Sequence, residues 1–329
     1  MSSSIGRRWT VSSCVDAEFV EPSVLLLMGP TATGKTDLAL ELCERIDGEI
    51  VSADSALVYR GMDIGTAKPT PEARAGILYG GVDLVTPDQP FSVGAWLDHA
   101  RAFLRSVPRG QRVVVAGGTG LYIKALLYGL DPMPSADAAV RRAVEALYAQ
   151  DGLAGLQRAC READAGRYAA IRDPSNPRRV MRALELAWMG VPMKNVWQDA
   201  SPCRVVMLDM DRQALGDRIA ERVETMYRAG FLDEVRRLRD SYPVWSDTAG
   251  KAIGYLEALA LLNGEMSEKT AKEETVRRTT RLVRRQTTWF RNQLDVAPVA
   301  VADDGDDMTN LAERVYAHWS DYGACSIAC

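Results

Sequence analysis

Short unbroken apolar runs alternate, in the first 130 residues, with longer stretches whose apolar positions recur at helical spacing. The runs 24–28 (VLLLM), 49–52 and 112–116 predict strands, and unbroken rather than alternating apolarity is the pattern of a parallel sheet covered on both faces. A weaker run at 82–85 predicts one more short strand, ahead of the turn signal Pro87-Asp88. Between these runs, 37–43 reads as a helix. So does 92–107, where Val93, Trp96, Leu97, Phe103 and Leu104 are separated by charges. From Asp131 the texture changes. Pro132, Pro134 and Ser135 punctuate, then helical patterns run through 140–148, 153–162 and 178–188 with no strand candidate among them. The run 203–210 (CRVVMLDM) restores a strand. Asp211 opens a helix, a Gly230-Phe231 break precedes another to about Ser241, 249–255 reads as a loop, and a long charged helix covers 269–291. No repeat and no low-complexity segment is found.

The first apolar run is followed by Gly29-Pro30-Thr31-Ala32-Thr33-Gly34-Lys35-Thr36, which fits G-x-x-x-x-G-K-[ST] between a strand and a helix. Such a loop curls its amides around an anion at a helix N-terminus. Lys35 would neutralise a diphosphate or triphosphate, and the Thr36 hydroxyl would meet Mg²⁺. A glycine-rich turn with no ligand is the bland alternative, and the strand–loop–helix context argues against it. The second strand ends in Ala53-Asp54-Ser55. In a parallel sheet the strand ends converge on one crevice, so Asp54 would face the phosphates. Gly117-Gly118-Thr119-Gly120, another glycine-rich loop at a strand end, places Thr119 near the same crevice. The loop 59–69 is too rich in glycine and polar residues for an element interior and reads as a cover over the site.

The expected architecture is therefore α/β: a P-loop NTPase-like parallel sheet flanked by helices, with an all-helical insertion domain. Its segments are an N-terminal extension (1–22), the first part of the core (23–130), the insertion (131–202), the completed core with a basic helix (203–292) and a C-terminal tail (293–329).

Composition changes this picture little. The 329 residues carry a formal net charge of −4, so any nucleic-acid partner must be held by local patches rather than a global field. One such patch is 269–291, where Lys269, Lys272, Arg277, Arg278, Arg281, Arg284, Arg285 and Arg291 oppose Glu273 and Glu274, for 8 − 2 = +6. Arg178, Arg179 and Arg182 form a second, weaker one. Arg218 and Arg222 lie at i, i+4 and share a helix face. No apolar run reaches the roughly 18 residues of a membrane span, and 1–22 lacks a signal-peptide apolar block. The six cysteines are scattered and read as reduced cytosolic thiols. The two histidines, His99 and His318, form no zinc pattern, and His99 is expected on a helix in a surface or packing role.

Together GPTATGKT (29–36), SADSALVYRGMDIGTAKP (52–69), AGGTGLYIKALLYGL (116–130), PSADAAVRR (134–142), NPRRVMRALE (176–185), IGY (253–255) and RRQTTWFRN (284–292) resemble the bacterial tRNA dimethylallyltransferases, also called tRNA isopentenyltransferases, over about residues 24–292. The resemblance implies transfer of a dimethylallyl group from dimethylallyl diphosphate to the exocyclic N6 amine of adenosine at tRNA position 37, beside the anticodon. It further implies that Gly29, Pro30, Thr31, Ala32, Thr33, Gly34, Lys35 and Thr36 hold the diphosphate, with Mg²⁺ on Thr36 and Arg218 assisting. Asp54 would take the amine proton and Thr119 would lie near both substrates. For tRNA the resemblance points to Asp54, Ser55, Ala56, Leu57 and Thr119 around the base. Arg141, Arg178, Arg179 and Arg182 on the insertion, Lys251, and Arg277, Arg281, Arg284, Arg285 and Gln286 on the basic helix would hold the rest. A cytoplasmic monomer without membrane attachment is the matching expectation. The chain departs from the family pattern at 77–82 (ILYGGV), where a histidine segment is common, and at Leu256, where a basic residue is common.

Three other readings remain open on the residues: an isopentenyltransferase acting on free AMP or ADP, a small-molecule P-loop kinase using ATP, and a non-catalytic RNA-binding P-loop protein. The basic helix and the 52–69 stretch have no job in a kinase. The long insertion argues for a macromolecular acceptor.

Overall fold

A computed structural model describes residues 23–108, 110–130, 134, 136–193, 204–302, 307–322, 325 and 327. The expected N-terminal extension (1–22), residues 131–133 and Cys203 lie outside them. The chain divides into two compact units, Met1–Gly129 with Ala200–Cys329, and Leu130–Asp199.

The first unit is built on a six-stranded sheet in the order β3-β2-β4-β1-β5-β6, in which every pair is parallel. Its strands are β1 (Ser23–Met28), β2 (Gly48–Ser52), β3 (Tyr79–Gly80), β4 (Arg112–Gly117), β5 (Val205–Asp209) and β6 (Val296–Ala300). The helices of this unit are α1 (Lys35–Ile46), α2 (Val93–Ser106), α3 (Gly120–Tyr128), α7 (Arg212–Arg228), α8 (Phe231–Ser241), α9 (Tyr255–Leu262), α10 (Glu268–Gln293) and α11 (Met308–Tyr322). Strands β1 and β4 run side by side from Ser23↔Arg112 to Met28↔Gly117, so their loops leave the sheet at one edge. Leu25, Leu27, Leu38, Leu42, Ile50, Val114, Leu208, Leu311 and Val315 form one continuous core of sheet, α1 and α11. Each such buried side chain contributes roughly 1.5–3 kcal/mol of transfer free energy. A second core joins Val58, Tyr59 and Met62 of the loop after β2 to Val223, Phe231, Val235 and Tyr255 of α7, α8 and α9.

The unit Leu130–Asp199 is helical: α4 (Ala138–Ala163), α5 (Ala165–Ala169) and α6 (Pro177–Trp188). It has its own core of Val144, Leu156, Cys160, Val180, Ala183 and Leu184. Gly152 breaks the long α4 at φ 62°, ψ −159°, so the patterns at 140–148 and 153–162 are two helices meeting at a kink. Asn176 caps α6 by accepting from the Arg178 N–H, with Pro177 in the first turn.

Three expectations are corrected. The third strand is not 82–85 but Tyr79–Gly80, which pairs with Ile50 and Val51, while Val85 makes only an isolated bridge to Tyr59. A side chain at Gly80 would meet the Phe103 ring at 2.5 Å, and Gly81 turns at φ +79° against the Ser52 carbonyl. One of the two residues of the edge strand, and the turn residue after it, are therefore glycine where α2 closes on the sheet, and apolar content misplaces it. Residues 293–329 are not simply a tail: β6 closes the sheet and α11 covers α1. Pro298 in β6 is tolerated because an edge strand has one side without partners. Cys325 is disulfide-bonded, against the expectation of free thiols, whereas Cys43 and Cys160 are free and buried. No helix among the described residues is long and apolar enough to cross a membrane.

Candidate active site

The ends of β2 and β4, the loop after β1 and one face of α7 open onto a cleft of about 1400 Å³, all of it lined by residues of the first unit. At its floor the loop 29–36 turns through positive φ at Ala32 (72°) and Gly34 (82°) into α1. Thr33 is buried and its hydroxyl donates to the Pro30 carbonyl at 2.9 Å. The Lys35 ammonium donates to the same carbonyl at 2.6 Å. Gly34 caps α1 without a side-chain acceptor, which leaves the first amides of the helix for an anion. The Lys35 pKa is lowered to about 8, chiefly by burial, opposed by the negative charge of Asp54 and reinforced by the nearby Arg222. A lysine whose charged form is disfavoured in this way gains most when an anion is brought to it.

Asp54 and Thr119 face that loop from the ends of β2 and β4. The Asp54 Oδ1 accepts from the Ala56 N–H at 2.9 Å, which orients the carboxylate. The Thr119 N–H donates to the Ala53 carbonyl at 3.0 Å and its hydroxyl accepts from the Ser55 N–H at 3.0 Å. Thr119 thus latches its loop onto the Asp54 turn. The glycines around it are demanded by close packing. An added Cβ would meet Ala53 O at 2.2 Å from Gly117, Gln286 Nε2 at 2.6 Å from Gly118 and the Trp289 ring at 2.1 Å from Gly120. Two of these neighbours come from α10, which lies directly against the loop.

The loop 59–69 is fixed by buried charges. Lys68 donates to Tyr59 O (2.7 Å), Asp63 Oδ1 (2.6 Å) and Asp83 Oδ1 (2.7 Å). Glu234, 3% exposed, accepts from the N–H groups of Asp63 (3.0 Å), Ile64 (2.7 Å) and Gly65 (3.3 Å) and from the Tyr255 hydroxyl (2.6 Å). Burial and the Glu234 charge push the Tyr255 pKa up, so it stays a donor. From α7, Arg222 donates to Thr66 O at 3.0 Å, and Arg218 reaches Met210 Sδ at 3.8 Å. Both arginines line the cleft.

The residues expected to bind tRNA separate into groups. Ser55, Ala56 and Leu57 line the cleft with Asp54 and Thr119, as do Lys251, Arg281 and Arg285. Arg281, Arg284 and Arg285 are exposed and make no ion pair among the described residues, whereas Arg277 is paired with Glu274. Gln286, half-buried, also lines the cleft and is bonded within the protein. Its Oε1 accepts from the Thr31 N–H at 3.1 Å and its Nε2 donates to Gly118 O at 2.9 Å, inside the floor of the cleft. Arg141, Arg178, Arg179 and Arg182 belong to the Leu130–Asp199 unit, where Arg141 and Arg182 both approach Glu185, at 3.6 and 3.3 Å. Leu256 is exposed. His99 is half-buried, and its Nε2 accepts from the Gly81 N–H at 2.9 Å; burial lowers its pKa, which suits the neutral acceptor. Sequence reasoning did not include Arg222, Glu234 or Lys68 in the site. Only Arg222 carried a signal, through the face it shares with Arg218.

Residues 57–293 match the family model described as IPP transferase. A tRNA dimethylallyltransferase of Methylococcus capsulatus is 40% identical over 284 residues, 83% of this chain and 91% of that relative. The solved structure of the full-length tRNA isopentenylpyrophosphate transferase of Bacillus halodurans aligns with a TM-score of 0.64 at 32% identity, covering 92% of this chain and 97% of that one. A eukaryotic dimethylallyltransferase acting on tRNA is 20% identical and shares the fold, with a TM-score of 0.75 over 91% of this chain and 79% of that one. The chain belongs to the IPP transferase family.

Proposed function

We propose that the chain transfers a dimethylallyl group from dimethylallyl diphosphate to the N6 amine of an adenosine beside the tRNA anticodon, at the cleft between the loop 29–36 and the Asp54 and Thr119 turns. The observation that carries this reading is that juxtaposition: a phosphate-type loop and a carboxylate that makes no ion pair among the described residues share one cleft. An adenine amine is a weak nucleophile because its lone pair is delocalised into the ring. Asp54 accepts a hydrogen bond from it and then its proton, as the N6–C bond forms and the carbon–oxygen bond to diphosphate breaks. The departing diphosphate gains charge, which the loop amides, Lys35 and the two cleft arginines Arg218 and Arg222 stabilise. Thr119, whose hydroxyl already joins the Asp54 turn to its own loop, orients the reacting groups.

Mg²⁺ fits this donor set, because a single Thr36 hydroxyl together with substrate phosphate oxygens is how that ion is commonly held. Bound there it would offset the charge of the diphosphate. The base has to leave its stack to enter the cleft. Exposed Arg281, Arg284 and Arg285, with the arginines of the helical unit, supply phosphate contacts that carry affinity rather than selectivity. A cytoplasmic, monomeric enzyme is part of the same reading.

The test is a transfer assay with labelled dimethylallyl diphosphate and Mg²⁺, offered to unmodified tRNA with an A-A-A run beside the anticodon, the same tRNA with the target base changed, and free AMP. Label in the first alone is the expected result. Label in AMP would replace the acceptor, and no label from folded protein would overturn the reading.

A further inference from the structure

The floor of the cleft has a feature that a bare phosphate loop lacks. Gln286, carried by α10 some 255 positions away in sequence, inserts its carboxamide between the two glycine-rich loops. Oε1 accepts from the Thr31 N–H at 3.1 Å and lies 3.4 Å from the Thr31 hydroxyl, while Nε2 donates to Gly118 O at 2.9 Å. Only this orientation of the amide satisfies both contacts, since a flip would set donor against donor and acceptor against acceptor. Gly118 is held to glycine by the same side chain, because a Cβ there would stand 2.6 Å from Nε2. The Thr31 end of the loop therefore presents a carbonyl oxygen where the rest of the loop presents N–H groups.

We propose that Gln286 is a specificity-determining residue that closes the loop at Thr31 and limits it to two phosphates. This rests on the reading of the loop as the donor's diphosphate seat. The amides from Ala32 onward, with Lys35, remain for a diphosphate. A third phosphate extending toward Thr31 meets an occupied N–H and a repelling lone pair, and must displace a side chain bonded at both ends. The same loop sequence in a kinase has to cradle a triphosphate. Here the discrimination comes from a residue outside the motif, delivered by the helix that also carries Arg281 and Arg285 to the cleft.

The experiment is calorimetric titration of the full chain with inorganic diphosphate and with tripolyphosphate, each in Mg²⁺ buffer, for the natural protein, Gln286→Ala and Gln286→Glu. The natural chain is expected to prefer diphosphate. Gln286→Ala should lower the ratio of tripolyphosphate Kd to diphosphate Kd by about tenfold, the equivalent of one hydrogen bond to a charged group. Gln286→Glu, which adds a negative charge at that end, should raise it. Because each ratio is taken within one variant, a partly unfolded preparation does not mimic the effect. An unchanged ratio in variants that still bind diphosphate would overturn this inference alone. Failure of the natural chain to bind diphosphate at all would overturn the donor-seat reading and this inference with it.

Discussion

The loop 29–36 on the floor of the cleft and the loop 59–69 that covers it are shaped by different means. On the floor, Thr33 and Lys35 both donate to Pro30 O, and positive φ at Ala32 and Gly34 turns the chain into α1, all within eight residues. The cover adds, to its own Lys68 contacts, a set made from a distance. Glu234 grips the amides of Asp63, Ile64 and Gly65 from about 170 positions away, and Arg222 holds Thr66 O from 156. Apart from the Gln286 contact at Thr31, the floor keeps its geometry as long as its own residues are kept. A surface made of remote polar contacts is weakened when a distant partner is lost, most where the group left behind is buried, as the Tyr255 hydroxyl is.

The largest expected effect breaks the chemistry without disturbing either wall. Asp54→Ala removes the proposed proton acceptor and should lower single-turnover transfer by about 10²–10⁴-fold. Affinity for an anticodon stem-loop should hold within a few-fold. Transfer that survives at near-natural rate would remove Asp54 from the mechanism.

Next comes the comparison itself. Glu234→Ala leaves the buried Tyr255 hydroxyl and three part-buried N–H groups without their acceptor, and at about 1–3 kcal/mol for a buried unsatisfied group the loss should be about 2–3 kcal/mol. Thr33→Val, the matching cut on the floor, removes one local hydrogen bond and should cost about 1 kcal/mol. Urea unfolding measures both. Equal losses would mean that the two walls are not held differently.

That contrast also decides what the amino-acid sequence made legible. The floor could be read because GPTATGKT encodes its own backbone conformation, and Asp54 and Thr119 because parallel strands deliver their ends to one edge. The family resemblance groups Gln286 with the tRNA-facing arginines of its stretch, and no local pattern says that one side chain of a charged helix turns inward to meet Thr31 and Gly118. Glu234 stands among the charges of an amphipathic helix, and only the fold places its carboxylate against loop 63–65. The strand at Tyr79–Gly80 was missed since its glycines are chosen by Phe103 and Ser52 rather than by strand preference. The alternating run of β6, interrupted by Pro298, gave too weak a signal to be told from a tail.

A smaller effect separates two kinds of arginine on α10. Arg281, Arg284 and Arg285 make no ion pair among the described residues, while Arg277 is held by Glu274. Replacing the first three with alanine should flatten the slope of log affinity for tRNA against log salt by about 2–3, given about 0.7–0.9 per phosphate contact. Arg277→Ala should change it by less than one contact's share. Fluorescence anisotropy across a salt series reads both, and a full-size effect from Arg277 alone would reassign the helix face.

The smallest effect lies in the pH dependence of the floor. Lys35 in the free chain titrates near 8, below its ordinary 10.5, because burial disfavours its charged form. Between these two values the unfolded chain holds a proton that the folded chain has released, so this residue makes stability rise with pH across that window and contributes no slope below about 7. Diphosphate binding runs the opposite way. The anion favours the protonated amine, so binding takes up a proton above pH 8, and affinity should fall with a slope of at most about tenfold per pH unit. Calorimetry with inorganic diphosphate at pH 7 and pH 9, in two buffers of different ionisation enthalpy, measures both the affinity and the proton uptake. In Lys35→Met the uptake should vanish while the loop amides still bind the anion weakly. Uptake that persists in the variant would mean that another group in the cleft titrates, and that burial of Lys35 is not what tunes the floor.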